Sequence, residues 1–125
     1  MSAMDEWVEK AEADYKAAIT LNRRRRDPLP DIVCFHCQQC AEKYLKAYLV
    51  VHGTAPPLIH DLQALLNLAS AHDASLMVLD PLAGLLNRYA VAIRYPSLTA
   101  TPADANNAVV ALRRIRTVLR RKLGL

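Results

Sequence analysis

The stretch Ile32–Val51, IVCFHCQQCAEKYLKAYLVV, decides the fold. It contains no glycine or proline. At roughly 1.5 Å of rise per residue it predicts a helix about 30 Å long. Asp31, following Pro28 and Pro30, reads as its N-cap, and Gly53 as the C′ residue that ends it. Stepping about 100° per residue, Cys34, Cys37, Cys40, Ala41, Tyr44, Leu45, Tyr48 and Val51 share one broad apolar face. His36, Gln39, Lys43 and Lys46 fall on the opposite side as a narrow cationic seam. Other helices are expected to pack on the wide face, and a ligand is expected to meet the seam.

The rest of the chain is read outward from this helix. Its 125 residues make one domain, 1–125, and a chain of that size buries roughly two-thirds of its unfolded surface. Hydrophobic residues make up 53%, with three glycines and one Phe; a set dominated by Ala and Leu favours helices over strands. The net charge of +4 conceals a division. Asp5, Glu6, Glu9, Glu12 and Asp14 crowd the first 22 residues, whereas Arg113, Arg114, Arg116, Arg120, Arg121 and Lys122 close the chain with no acid among them. Such a basic segment suits an anionic partner such as RNA, DNA or a nucleotide.

No apolar run reaches membrane-spanning length, and the opening MSAMDEWVEK is acidic and amphipathic rather than signal-like, so a cytoplasmic protein without membrane contact is expected. Three cysteines within seven residues leave an odd thiol, which suits a reducing compartment. Cys34-x2-Cys37-x2-Cys40 lacks the fourth cysteine of a cluster run, so the three read as small buried hydrophobes. His60-Asp61 lacks helical ligand spacing to His36, His52 or His72. Asp61 therefore reads as an acid in a first helical turn, with His60 bonded to loop backbone. No metal or cofactor is expected.

Four further helices flank the central one. The first spans about Ala3 to Asn22, capped by Ser2 with Asp5 at the third helical position, with Met4, Trp7, Val8, Ala11, Tyr15, Ala18 and Ile19 as its stripe. Arg23 to Arg26 follow, where cations complement a helix C-terminus or contact phosphate. After the turn containing Pro56-Pro57, a shorter helix runs from about His60 to Ala71. Asp80-Pro81 opens another to about Ile93, from which Arg88 and Arg94 emerge before Tyr95-Pro96 breaks it. Thr101, Pro102 and Asp104 start the last helix, which runs to about Leu123. The expected architecture is all-α, an antiparallel up-down four-helix bundle with an additional short helix.

The order of motifs is more specific than any one of them. An early Trp on an acidic-apolar helix, FHCQQCAEKYLKAYLV at 35–50, HDLQALL at 60–66, RYP at 94–96 and a basic closing helix together resemble the HEPN domain along essentially the whole chain. The resemblance implies the helical bundle already read from periodicity, commonly as a dimer. It also implies a nucleotide- or RNA-binding role, or partnership with a nucleotidyltransferase in a toxin–antitoxin-like system. Ribonuclease members of the family carry Arg, four to six residues, then His. Here His72 is the last histidine and no His follows Arg88 or Arg94, so that motif is absent. The expected site is accordingly a binding groove of Gln39, Lys43, Lys46, Arg88 and Arg94, since Lys and Arg suit phosphate. His36 is the candidate for a displaced base, which would make the chain a metal-independent endoribonuclease instead. A ligand-free helical adaptor is the third reading. A homodimer is expected as well, because the apolar arc of the central helix exceeds what one bundle seam needs.

Overall fold

Local signals set the helix ends. Ser2 and Asp5 form a reciprocal capping box, the Asp5 N–H donating to Ser2 Oγ and the Ser2 N–H to Asp5 Oδ2, each at 3.1 Å. They open α1, Ala3–Asn22. Thr101 and Asp104 do the same for α5, Pro102–Lys122, with proline in its first turn. Between them the computed structural model places α2 at Pro30–Val51, α3 at Leu62–Ser70 and α4 at Asp80–Asn87. It describes residues 1–90, 96 and 99–125. α4 stops short of the expected Ile93: it ends at Asn87 with Arg88 as C-cap, and Tyr89 and Ala90 are turn residues. Residues 91–93 and the Arg94-Tyr95 pair lie outside the described residues.

Several expected boundaries need correction. Asp31 does not cap α2: the helix begins two residues earlier, at Pro30, Leu29 is the N-cap with no side-chain bond, and Asp31 accepts the Ala100 N–H instead. It thereby ties the segment before α5 to the start of α2. Asp61 is not inside α3 but is its N-cap, accepting from Gln63 and Ala64 N–H groups at 3.0 and 3.2 Å. Asp80 is itself helical, following Leu79 as N-cap. A 3₁₀ segment at Ala74–Leu79, unread in the sequence, buries Leu76 and Leu79. Its six residues are too short for periodicity to reveal. Gly53 does end α2, at φ +77, a left-handed conformation that glycine adopts without a Cβ penalty.

α2 is the axis of an antiparallel bundle with one additional short helix. It packs against α1, α5, α3 and α4. Cys34, Cys37, Cys40, Ala41, Tyr44, Leu45, Ala47, Tyr48 and Leu49 are all buried along it. They meet Ala11 and Ala18 of α1, Leu62, Leu65, Leu66 and Ala69 of α3, Leu86 of α4, and Ala108, Leu112, Ile115 and Leu119 of α5. Burying one Leu or Ile side chain contributes roughly 1.5–3 kcal/mol. The small Ala and Cys side chains let the long helices approach closely. The surplus apolar arc expected to need a second copy is thus covered within one chain, with only Val51 of that face exposed. It gives the homodimer expectation no support. Among the described residues, no helix is long and apolar enough to cross a membrane.

Candidate functional site

The seam expected on α2 divides into two clusters, each built around a carboxylate. In the first, Asp14 of α1 takes Lys43 Nζ on one oxygen and His36 Nδ1 on the other, the latter at 2.8 Å. In the second, Glu42 takes Lys46 Nζ at 3.2 Å on one oxygen and His60 Nδ1 at 2.9 Å on the other. A carboxylate only accepts, so in both clusters the histidine Nδ1 carries the hydrogen. The buried Gln38 donates from Nε2 to the His60 carbonyl at 2.9 Å and to Glu42 at 3.3 Å. Gln39 turns its own amide onto Gln38 Oε1 at 2.7 Å. Lys46 lies 5.6 Å from the centre of the Trp7 ring. Trp7 is therefore a half-buried cover over the second cluster rather than a core residue.

These contacts revise the groove. Lys43 and Lys46 are not free cations on an open face. Lys43 pairs across helices with Asp14, and Lys46 is 4% exposed beside a Glu42 that is 3% exposed. An ammonium in such a place requires its carboxylate, because an unpaired buried charge costs several kcal/mol. His60 bonds to the Glu42 side chain, not to loop backbone, and its side chain remains 68% exposed. His36 is held by Asp14 and is 27% exposed. Of the expected groove, Gln39 is half-buried, and Arg88 is exposed with its guanidinium 5.9 Å from the Tyr89 ring centre. Among the described residues Arg88 makes no ion pair; Arg94 lies outside them.

A third cluster joins α1, α2 and α5. Glu12 receives Arg116 through Nε and Nη2 at 2.8 and 2.6 Å, and Tyr44 donates its hydroxyl to Glu12 at 2.7 Å. Arg120 Nη1 donates to the Tyr44 oxygen at 2.9 Å, and Arg116 lies 4.0 Å from the Tyr15 ring centre. Hydrogen bonding from Arg116 is the main cause holding the Glu12 carboxyl below the usual range. Burial, reinforced by the bond to Glu12, pushes the Tyr44 hydroxyl up to about 12.

A cavity of about 290 Å³ opens beside His60, lined also by Asp61, Asn87 and Ala90. Its wall is already bonded internally: Asn87 donates to Asp61 at 2.8 Å and accepts from the Leu62 N–H at 2.7 Å. Among the described residues, no three His, Cys, Asp or Glu side chains come together to hold a metal ion. The cysteines are buried, and burial pushes the Cys34 and Cys37 thiols up to about 12 and Cys40 higher still. That disfavours thiolate chemistry.

Sequence reasoning missed Asp14, Gln38 and Glu42. Two signals were present. Gln38, Glu42 and Lys46 repeat every four residues, the spacing of neighbours on one helix face. Asp14 sits between Ala11 and Ala18, an acid inside an apolar stripe.

Comparison with known proteins agrees with the helical fold. The HEPN domain family matches residues 4–122. The fold is shared with a crystal structure of TT1696 from Thermus thermophilus, at TM-score 0.76 and 24% identity, over 98% of this chain and 99% of the other. A comparison with curated proteins finds no match.

Proposed function

The chain belongs to the HEPN domain family, and on that footing we propose that it is a nucleotide- or RNA-binding module. The family habit of dimerising, not the covered apolar face of α2, supports a homodimer, here beside a nucleotidyltransferase partner in a toxin–antitoxin-like arrangement. The observation that carries the binding role is Arg88. It is an exposed guanidinium at the end of α4, stacked toward Tyr89 and in no ion pair among the described residues. A planar fork of exposed N–H donors suits phosphate. Gln39, half-buried on α2, and Arg94, outside the described residues, complete the proposed set of binding residues. Lys43 and Lys46 contribute by positioning, since their charges are engaged by Asp14 and Glu42.

Fluorescence titration with ATP and with short RNA at physiological salt tests the ligand. Saturable binding that Arg88→Ala weakens at least tenfold is expected; no saturable binding to either removes the ligand role. Sedimentation equilibrium tests the dimer, which should weigh twice 13.9 kDa. Co-purification with a co-expressed nucleotidyltransferase tests the partner.

A second reading, a metal-independent endoribonuclease, is favoured by one observation. His60 and His36 each have Nδ1 fixed on a carboxylate, leaving Nε2 available for proton transfer. His60 is the better placed, being the more exposed. Metal-free RNA cleavage abolished by His60→Ala or His36→Ala would establish this reading. An absence of cleavage, or cleavage indifferent to both changes, would eliminate it.

A further inference from the structure

The arginines after α1 and those along α5 are far apart in sequence, and the bundle brings them together. Asn22 Nδ2 donates to Asn106 Oδ1 at 3.0 Å, and Arg113 Nε donates to the Tyr15 hydroxyl at 3.4 Å. With Arg116 on Glu12, these bonds run the two helices antiparallel, so the end of α1 lies beside the start of α5. Arg24 lines the same small cavity as Asn106 and Pro102. Lys16, Arg23, Arg24, Arg113, Arg114 and Arg121 are all exposed, and among the described residues none of them is ion-paired. No acid occurs between Asp14 and Asp27, and none follows Asp104, which is occupied in its capping box. The other cations of α5 are engaged: Arg116 and Arg120 at Glu12, Lys122 at Asp73.

We propose that this α1–α5 strip is a docking surface for the phosphodiester backbone of a nucleic acid, separate from the Arg88 site. From Asn106 to Arg121 the strip extends about 22 Å along α5, enough for a run of consecutive phosphates. Its chemistry selects that partner. Long flexible cations with no acids interspersed recognise a line of negative charge without reading bases. Their number exceeds what capping α1 requires. Val110 and Thr117, exposed along α5, add no charge, and among the described residues neither α1 nor α5 carries an exposed aromatic side chain for base stacking. The surface therefore binds by charge and length, not by sequence. A protein of this kind would hold the polymer on α1–α5 while the Arg88 site engages a nucleotide.

The test is fluorescence anisotropy over a salt series, using oligouridylate, mixed-sequence RNA and DNA of equal length. The parent is compared with the triple variant Arg24→Ala/Arg114→Ala/Arg121→Ala. Each lost contact should weaken binding about fourfold at physiological salt and reduce the single-strand salt slope by about 0.7. The triple variant should therefore bind roughly sixtyfold more weakly on every sequence, with its circular-dichroism melt unchanged. Its ATP titration should match the parent, whereas Arg88→Ala should do the reverse, so the two sites fail separately. Parental affinity and slope in the triple variant would overturn the proposal, as would a loss confined to one base sequence. Equal affinity for polyglutamate would assign the strip to an acidic protein. A changed sedimentation weight with unchanged nucleic-acid binding would assign it to a second copy of the chain. Either result overturns it as well.

Discussion

The two carboxylate clusters on α2 have the same parts and different surroundings. Each joins one acid, one lysine and one histidine Nδ1. Around Glu42 the acid and lysine side chains are 4% and 6% exposed and come from one helix, four residues apart. Around Asp14 the acid is 11% exposed, Lys43 is 22% exposed, and the acid comes from α1. The first cluster pins the segment before α3 to the middle of α2; the second clamps α1 to α2. Identical charges thus do unequal work. In the interior an ion pair is a mutual obligation, because either charge alone is intolerable there. Near the surface water supports whichever partner is left, and the pair contributes modestly.

The sharpest way to break this comparison is Glu42→Ala. It strands Lys46 and should cost about 3–5 kcal/mol, lowering Tm by roughly 10–20 °C. Replacing both charges, Glu42→Leu with Lys46→Met, should recover most of that loss in a thermal or urea melt. If Glu42→Ala melts like the parent, Glu42 and Lys46 are not an obligate pair.

Asp14→Ala should cost less, about 1–2 kcal/mol, and Lys43→Ala less again. Glu42, about 100° away around α2, cannot partner Lys43; Asp14 on α1 does so instead. A loss at Asp14 equal to that at Glu42 would remove the distinction between the clusters.

The Glu12–Arg116 pair sharpens the contrast through pH. Arg116 depresses the folded pKa of Glu12. A depressed carboxylate contributes stability above its unfolded pKa, and that stability is lost as pH falls through the folded value. Glu12→Gln should therefore be less stable than the parent by about 1 kcal/mol at neutral pH. The gap should narrow below the ordinary carboxyl value of 4.5 and close in stronger acid. Urea melts from neutral pH into acid measure the gap, and one that widened in acid would contradict the pairing.

The smallest expected signal is an absence of reaction. Cys34, Cys37 and Cys40 are 0% exposed, so a thiol reagent should label them only as fast as the chain unfolds. Rapid labelling of folded protein would show that the packed face of α2 is open.

Most of the fold was legible in the order of residues. Ser2 with Asp5, Thr101 with Asp104, and Gly53 place helix ends through bonds that span only a few residues. The stripes on α2 and α5 place the core, because 3.6 residues per turn is a property of each helix alone. The polar site was much less legible. Periodicity orients a side chain about its own helix axis and does not say which neighbour stands at that angle. Asp14 meets residues 22 and 29 positions away, and Glu12 meets Arg116 across 104 positions. Those pairings exist only once α1 and α5 have docked along α2 with one register, and docking is driven by apolar packing that is indifferent to charge. Hence the pattern of residues announced a basic helical bundle. The tertiary structure decided which cations are neutralised inside it, and which are left to meet a partner.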